Sequence, residues 1–482
     1  MRLEIVDADV RVVHLSTRIP FRFGKAELAT SPYLFVRVDV TMDAVRASGI
    51  SADFLAPEWF MKSTAASWAA DLSVLTDIVD GAVQTALVVG PQPSVFELWR
   101  RIYEAQLARA ARDGWSVLAA GFGVSVVERA VIDAYCRAAR TTFGEALRQN
   151  TFGIQLDELH PELAGVSPSV LIPREPLRSI IVRHTVGLAD PLDGGEAGSE
   201  DDGLPQTLGD AIEAYGLTYF KIKVAGEATA DRERLERVLE IVARNCGQEY
   251  RFTVDANEGF GSAEEFREFW SEVHASFSPD VRRRLLFVEQ PLRRDVALGD
   301  ETERVFNTWT GRPPLIIDES DEDTDSVPRA LACGYAGASV KSCKGIFREI
   351  GNACLLELRR SGDPSTQYIV SGEDFSTLGP VSLPQNLALM ANLGLTHTEL
   401  NGHHYYRGLS MFSRAVQENT TTNHADLYRW HEDVFATLRI ERGTVRLESV
   451  LAAPFGAVSV LDLSRLETYP LDSLRRHVDA AS

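Results

Sequence analysis

The sequence predicts an α/β protein: a TIM-type (β/α) barrel with an α+β N-terminal capping domain that the C-terminal segment completes. After about residue 178, short apolar, β-branched runs alternate with helical stretches. Eight such runs occur, and most are separated by enough residues for a helix. Repeated βα units with continuous apolar strands are typical of a parallel sheet, and eight of them are typical of a closed barrel.

Residues 1–165 are expected to form the capping domain. Period-two fragments from Leu3 to Val12 and the alternation from Tyr33 to Val40 indicate strands. Residues from about 66 to 150 have helical spacing. Apolar positions in Val124 to Cys136 recur every three and four residues, as on a buried helix face.

The barrel is expected over residues 166–414, with the C-terminal segment 415–482 packing back on the capping domain through a strand at 458–463. The stretch 193–206 is rich in glycine and acidic residues, which predicts an exposed insertion. Its acids Glu196, Glu200, Asp201 and Asp202 are expected at the surface. The predicted barrel strands are 180–185, 219–224, 251–255, 285–289, 315–318, 338–341, 367–371 and 396–401.

Composition and charge exclude several kinds of partner. The chain has 69 acidic and 49 basic residues, a net charge of −20, which argues against nucleic acid and anionic membranes. Five cysteines without a C-x-x-C pair predict reduced thiols and no thiolate metal site. The longest nearly uncharged run, Trp115 to Val127, is shorter than the ~20 residues of a membrane span. We therefore expect a cytoplasmic protein.

Charged side chains follow the apolar runs of five consecutive predicted strands, the second to the sixth. The carboxyl ends of barrel strands share one rim, where barrel enzymes keep their chemistry. We therefore expect these side chains to point into one mouth. In chain order they are Lys221, Lys223, Asp255, Glu289, Asp318 and Lys341.

Three converging carboxylates predict a hard divalent cation, Mg²⁺ or alternatively Mn²⁺, bound by Asp255, Glu289 and Asp318. The absence of His and Cys among them disfavours zinc. A single carboxylate there is more often a helix cap or a solvated loop end, but three in consecutive strands are not explained that way. A carboxylate substrate on such a cation has an acidic α-C–H bond, which a lysine could break.

The lysines are the candidate bases and acids. Lys221 and Lys223 share one strand face, so the charge of Lys221 is expected to lower the pKa of Lys223 and make it a usable base. Lys341, from the other side of the cation, could deliver a proton to the opposite face or stabilise a leaving group.

These segments resemble the enolase superfamily, and more narrowly the muconate-lactonizing-enzyme group of the mandelate racemase/muconate lactonizing enzyme family. The resemblance implies that Lys223 and Lys341 form the acid/base pair and that Asn257 and Glu319 support the metal ligands. The matching segments are Lys221 to Lys223, Val254 to Asn257, Val288 to Leu292, Ile317 to Ser320 and Ser339 to Lys344.

The same resemblance implies that two loops of the capping domain, about 19–30 and 49–62, select the substrate. Their aromatic residues are candidate pocket walls, although core packing is the commoner fate of such side chains. These residues are Phe21, Phe23, Phe54, Trp59 and Phe60.

The seventh and eighth strands depart from relatives within the superfamily. The seventh ends in Glu373 and Asp374 without the histidine of mandelate-racemase relatives, which favours the two-lysine group. The eighth carries Glu399 and Asn401 where dipeptide epimerases have Asp-x-Asp. Glu373 and Glu399 are therefore candidate supporting or substrate-contacting residues, although a structural hydrogen bond fits Glu399 equally well.

The histidines His397, His403 and His404 match no common metal-site spacing and are expected to have surface or hydrogen-bonded roles.

The predicted function is Mg²⁺-dependent α-proton abstraction from a small-molecule carboxylate, giving a racemase, epimerase or cycloisomerase. Two alternatives stay open: an acid-sugar dehydratase, which expels a β-hydroxyl from the same enolate, and a non-catalytic metal-binding barrel. We also expect a homo-oligomer, with neither nucleic acid nor membrane as a partner.

Overall fold

The computed structural model describes residues 2–23, 26–61, 67–194 and 202–468. A four-stranded antiparallel sheet lies beside a closed barrel of eight parallel strands, which confirms the predicted fold class. A two-stranded antiparallel sheet lies in the C-terminal part.

The capping domain begins with three antiparallel strands, β1 (Leu3–Phe23), β2 (Ala26–Met42) and β3 (Val45–Phe54). Serine or threonine N-caps accept a backbone N–H at the start of four of the helices that follow, which satisfies donors that a helix leaves unpaired. The helices are α1 (Pro57–Phe60), α2 (Trp68–Val88), α3 (Val95–Asp113), α4 (Val117–Ala139) and α5 (Phe143–Arg148).

The barrel contains all eight predicted strands, and its first and last strands pair in parallel to close it. Their centres are buried and largely apolar, as in the continuous run of Leu315, Ile316 and Ile317. The strands are β4 (Ser179–Val186), β5 (Tyr219–Lys223), β6 (Arg251–Asp255), β7 (Leu285–Glu289), β8 (Leu315–Ile317), β9 (Gly337–Val340), β10 (Ile369–Gly372) and β11 (His397–Leu400).

Helices surround the barrel because each turns an apolar stripe inward; α8, for example, buries Leu235, Val238 and Val242. The helices of this part are α6 (Pro168–Leu171), α7 (Leu208–Tyr215), α8 (Ala228–Cys246), α9 (Ala263–Ser276), α10 (Pro279–Arg282), α11 (Arg294–Ala297), α12 (Asp300–Thr308), α13 (Ser326–Ala332), α14 (Ile346–Gly362), α15 (Ser382–Leu393) and α16 (Gly402–Tyr405).

The C-terminal part reaches both the barrel and the capping domain. Strand β14 pairs antiparallel with β4 of the barrel, and β15 pairs antiparallel with β1. The domain bounds 1–165, 166–414 and 415–482 stay a prediction. The elements are α17 (Arg414–Asn423), β12 (Tyr428–His431), β13 (Phe435–Leu438), β14 (Thr444–Arg446), α18 (Glu448–Ala452) and β15 (Glu467–Thr468).

The prediction of a strand at 458–463 is wrong. The strand that returns to the capping domain is β15, a few residues later. The side chain of Arg137 explains the difference, since it donates hydrogen bonds to the carbonyl oxygens of Ala457 and Val458 at 2.8 Å each. These carbonyl oxygens therefore accept hydrogen bonds from a side chain of helix α4, and not from the backbone of a neighbouring strand.

The two segments expected to be capping loops contain regular structure. Residues 19–30 include the β1–β2 hairpin, in which Phe21 pairs with Leu28. Residues 49–54 complete β3, and α1 follows. Gly49 lets β3 approach helix α4, because a Cβ at that position would overlap backbone atoms of Ala130 and Ala134.

The structure describes residues 193–194 and 202–206 of the insertion. Glu196, Glu200 and Asp201 lie outside the described residues. The expectation of surface exposure is wrong for Asp202, whose side chain is 5% exposed and paired with Arg18. All five cysteines are unpaired thiols. No helix within the described ranges is long and apolar enough to cross a membrane.

Candidate active site

A small cavity lies at the C-terminal end of the barrel, between the barrel and the capping domain. Its volume of about 40 Å³ holds roughly three water molecules. A larger occupant therefore requires the surrounding side chains or the cap to move. The lining residues are Phe21, Phe54, Ala56 and Trp59 from the cap, and Lys221, Lys223, Asn257, Lys341, Asp374, Phe375, Ser376, Glu399 and Asn401 from the barrel.

Lys221 lies at the centre of four buried carboxylates. Its Nζ is 3.0 Å from Asp255 Oδ2, 2.8 Å from Glu289 Oε2, and 2.9 Å from one oxygen each of Glu373 and Glu399. Burial would lower the pKa of Lys221, but the four negative charges outweigh it and raise that pKa well above its usual value. The four carboxylates thus offset the charge of Lys221, and the expected effect of Lys221 on Lys223 stays a prediction.

Lys223 is held at the rim beside the end of β6. Its Nζ donates to Asp255 Oδ2 at 2.6 Å and to Asn257 Oδ1 at 2.7 Å. The Asn257 side chain donates in turn to Glu319 Oε1 at 3.1 Å, and its backbone N–H donates to Asp255 Oδ1. The predicted supporting residues Asn257 and Glu319 thus form one chain of contacts with Lys223.

Lys341 lies on the other side of the barrel mouth, at the end of β9. Its Nζ donates to Asp318 Oδ2 at 2.5 Å and lies 4.7 Å from the ring centre of Trp59 in the cap. Asp318 also accepts from Ser339 Oγ at 2.6 Å and lies 3.1 Å from Lys344 Nζ. Despite burial, the two lysines lower the pKa of Asp318 well below its usual value.

The three predicted metal ligands end neighbouring strands. Asp255 is directly opposite Glu289 in the β6–β7 register, and Asp318 follows β8. Burial and the charges of Asp255 and Glu373 raise the pKa of Glu289 well above its usual value. Lys221 is near, but neither carboxylate oxygen of Glu289 accepts a hydrogen bond.

These carboxylates fit a hard cation, because buried oxygens with excess negative charge around them are its usual ligands. In this conformation, however, the described residues contain no group of three His, Cys, Asp or Glu side chains set around a common metal position. The ammonium groups of Lys221, Lys223 and Lys341 lie among the carboxylates instead.

Glu373 and Glu399 occupy different places. Glu399 lines the cavity and accepts from Lys221, from Thr185 Oγ1 at 2.6 Å and from a backbone N–H. Glu373 does not line it and instead contacts Arg183 and Ser371 inside the barrel. Burial opposes ionisation of Glu373, but Arg183 and Lys221 lower its pKa to about 2.

The side chains of His397 and His403 make hydrogen bonds, as expected, and none of the three histidines lines the cavity. His403 is 3.0 Å from a ring nitrogen of His184, and His404 is 3.7 Å from Asp190 Oδ2. His397 lies apart from them, 2.8 Å from the guanidinium of Arg183.

Sequence reasoning assigned no role to several site residues. Asp374 accepts from Asn401 N–H and from Thr377, and burial together with Glu399 raises its pKa to about 7. Asn401 lines the cavity, and its buried side-chain oxygen accepts no hydrogen bond. Both follow strand ends, so the rule that identified Lys341 would have found them, and Lys344 as well.

The aromatic candidates divide into walls and support. Phe21, Phe54 and Trp59 line the cavity, as does Phe375, which the sequence did not single out. Phe60 packs behind them, with ring centres 5.2 Å from Phe375. The side chain of Phe23, a further candidate, lies outside the described part.

No protein-family model and no curated protein sequence matches this chain. Solved structures do match over nearly the whole length. A muconate lactonizing enzyme from Mucobacterium Smegmatis is 18% identical, with a TM-score of 0.57, over 97% of this chain and 100% of that one. A 2-chloromuconate cycloisomerase from Rhodococcus opacus is 17% identical, with a TM-score of 0.60, over 97% and 100%.

A dipeptide epimerase from Enterococcus faecalis, in complex with Mg and L-Leu-L-Tyr, is 14% identical, with a TM-score of 0.60, over 94% of this chain and 99% of that one. At such identities the likeness concerns the fold. The chain therefore shares the fold of these enzymes, a barrel with a cap, which is the fold that the sequence resemblance implied.

Proposed function

We propose that this chain is an enolase-superfamily isomerase that removes the α-proton of a small carboxylate substrate. The observation that carries the proposal is the position of Lys223 and Lys341. They end β5 and β9, line the same cavity, and are separated by the carboxylate-bearing strands β6 to β8. Two lysines on opposite sides of one carbon can remove a proton from one face and return it to the other.

Asp255, Glu289 and Asp318 would hold the Mg²⁺ ion. When bound, Mg²⁺ offsets the charge of a substrate carboxylate and of the enediolate that deprotonation produces. The oxygens of Glu289 that accept no hydrogen bond support this assignment, since Lys221, the cation beside this buried carboxylate, is shared with three other acids. Mg is present in the structure of the dipeptide epimerase that this chain resembles in fold.

The lysines then have distinct surroundings. Lys223 is oriented by the side-chain oxygen of Asn257 and is suited to accept the α-proton. Lys341, whose ion pair with Asp318 favours its charged form, is suited to donate a proton to the other face. Trp59 covers Lys341 and keeps water from it. Lys221 keeps four carboxylates in place and transfers no proton itself.

The outcome we propose is racemisation, epimerisation or cycloisomerisation. The fold likeness to cycloisomerases and to a dipeptide epimerase supports this kind of reaction. The acceptor oxygen of Asn401 in the cavity favours substrates that carry a hydrogen-bond donor, such as acylated amino acids, hydroxy acids and sugar acids.

The test is deuterium incorporation at the α-carbon, followed in D₂O with Mg²⁺ across a panel of these acids. We expect one class to exchange, and the K223A/K341A double variant to lose that exchange. Arg359→Ala, at an exposed ion pair far from the mouth, is the control and should keep it. Exchange that persists in the double variant would overturn the proposal.

Two other results would redirect the assignment. A keto-acid product without isomerised substrate would identify an acid-sugar dehydratase. A protein that Mg²⁺ stabilises but that exchanges no acid would identify a non-catalytic metal-binding barrel.

A further inference from the structure

Arg18, in strand β1 of the cap, forms a buried two-point ion pair with the end of the acidic insertion. Its Nε and Nη2 lie 2.6 Å and 2.8 Å from the two carboxylate oxygens of Asp202. The side chains are 3% and 5% exposed. Paired, parallel hydrogen bonds of this kind fix orientation as well as distance.

The remaining donors of Arg18 reach two further parts of the barrel. Nη1 donates to the carbonyl oxygens of Pro205 at 3.0 Å and His404 at 3.1 Å, and Nη2 donates to that of Leu204 at 3.3 Å. One cap side chain therefore holds the last residues of the insertion and helix α16, which follows the last barrel strand.

Asp202 is itself fixed from the barrel side. Its Oδ1 accepts from the backbone N–H of Leu204 at 3.1 Å. Its carbonyl oxygen is 3.1 Å from Nε2 of His431, in the β12–β13 hairpin. The carboxylate that receives Arg18 is thus pre-positioned by two segments that are not part of the cap.

Phe21, three residues after Arg18, is the cap residue that this contact would place. Its ring stacks on Tyr405 with centres 4.2 Å apart, and it lines the cavity with Lys221 and Lys223. The Tyr405 hydroxyl donates to Asp190 at 2.7 Å, so the surface under Phe21 is fixed by the barrel.

From this geometry we propose that Asp202 is a specificity-determining positioning residue: through Arg18 it locks the β1–β2 hairpin over the barrel and sets Phe21 as one wall of the substrate cavity. The consequence for substrate choice rests on the proposed function, whereas the lock itself does not. Phe21 bounds the cavity on the side of the cap, so the position in which the lock holds the hairpin sets how far that wall lies from Lys221 and Lys223. The lock then determines which acids can occupy the closed site.

The insertion supplies its own matched control. Asp193, at its start, pairs with Arg237 at 2.7 Å, but those side chains are 55% and 45% exposed. Exposed pairs contribute little, whereas removing one partner of a buried pair leaves an uncompensated charge. Asp193→Asn should therefore leave the hairpin unchanged, and Asp202→Asn should loosen it.

Hydrogen–deuterium exchange by mass spectrometry measures the lock without a substrate. In D202N and in R18M we expect amides of residues 12–22 to exchange about tenfold faster than in wild type, with D193N unchanged. The D202N/R18M double variant should exchange no faster than the single variants, because both remove the same contact. The proposed lock would be overturned if these amides exchanged at the wild-type rate in both single variants, or if D193N raised their exchange rate as much as D202N.

Steady-state kinetics with the acid that exchanges its α-proton measures the specificity. We expect D202N to raise KM about tenfold with a smaller change in kcat, and to narrow the preference between large and small acids. A loss confined to kcat, with KM and preference unchanged, would contradict a positioning role. If no acid exchanges its α-proton with the wild type, the proposed function fails. The amide exchange of residues 12–22 then still shows whether Asp202 and Arg18 hold the hairpin.

Discussion

At the scale of single residues, the main feature of the site is that its buried acids outnumber the cations that face them. The positive charge of Lys221 is shared among four carboxylates. Glu289 is the acid whose negative charge is least compensated. A buried carboxylate in that state destabilises the protein unless a cation joins it. Glu289 is therefore the residue at which binding of Mg²⁺ and stability are most closely linked.

Replacing Glu289 with Gln tests that linkage. Mg²⁺ at one hundred times its dissociation constant should raise the free energy of unfolding of the wild type by about 2.7 kcal/mol. We expect E289Q to lose most of this increase, while its stability without Mg²⁺ equals or exceeds that of the wild type. Thermal unfolding with and without the ion measures both effects.

The control for this prediction is Glu162→Gln, which removes an exposed acid paired with Arg359. E162Q should keep the full Mg²⁺ effect. An E289Q protein that Mg²⁺ stabilises as strongly as the wild type would contradict the assignment of Glu289 as a ligand.

At the scale of elements, buried polar contacts join the cap helices to the barrel. Glu128 on α4 accepts the backbone N–H groups of Ile346 and Phe347, the first residues of α14, at 2.9 Å and 2.8 Å. Burial nevertheless raises the pKa of Glu128 to about 7. The folded state therefore binds a proton that the unfolded state releases near its ordinary pKa of about 4.5.

The sign of the resulting pH dependence follows from that proton. Between about pH 4.5 and 7 the folded protein holds more protons at this site, so Glu128 makes stability fall as the pH rises. We expect E128Q to lose this contribution, so that its unfolding free energy falls less, or rises more, with pH than that of the wild type over the same range. Urea unfolding at several pH values measures the difference, and parallel curves would contradict the prediction.

Close packing of β3 on α4 depends on a glycine. A Cβ at Gly49 would overlap Ala130 and Ala134, so Gly49→Ala should lower the free energy of unfolding by about 1–3 kcal/mol. A Cβ at Gly209 in α7 would meet Thr207 Oγ1 at an ordinary contact distance of 3.8 Å, so Gly209→Ala should raise the free energy of unfolding by about 0.5–1 kcal/mol. Denaturant unfolding of the two variants compares them, and a neutral G49A would contradict the packing described.

At the scale of the whole molecule, the sequence predicted the barrel and most of the site because both follow from local patterns. Strands that end in Lys223 or Asp255, or that Lys341 follows, need only the chain near them to be recognised. The same rule extends to Asp374 and Asn401, which follow β10 and β11 and line the cavity.

What the sequence could not show depends on distant partners. The burial of Asp202 requires Arg18, 184 residues away in the chain. The charge balance of Lys221 requires Glu373 and Glu399 from strands that lie more than 150 residues further on. The position of β15 depends on its pairing with β1, near the other end of the chain.

The measurement that tests the central claim most directly is α-deuterium exchange from each enantiomer of an active substrate in K223A and K341A. Because the two lysines face opposite sides of one cavity, each variant should lose exchange from one enantiomer and keep exchange from the other, in opposite senses. Two-sided proton transfer by this pair would be contradicted if either variant lost exchange from both enantiomers. It would also be contradicted if both variants lost exchange from the same enantiomer.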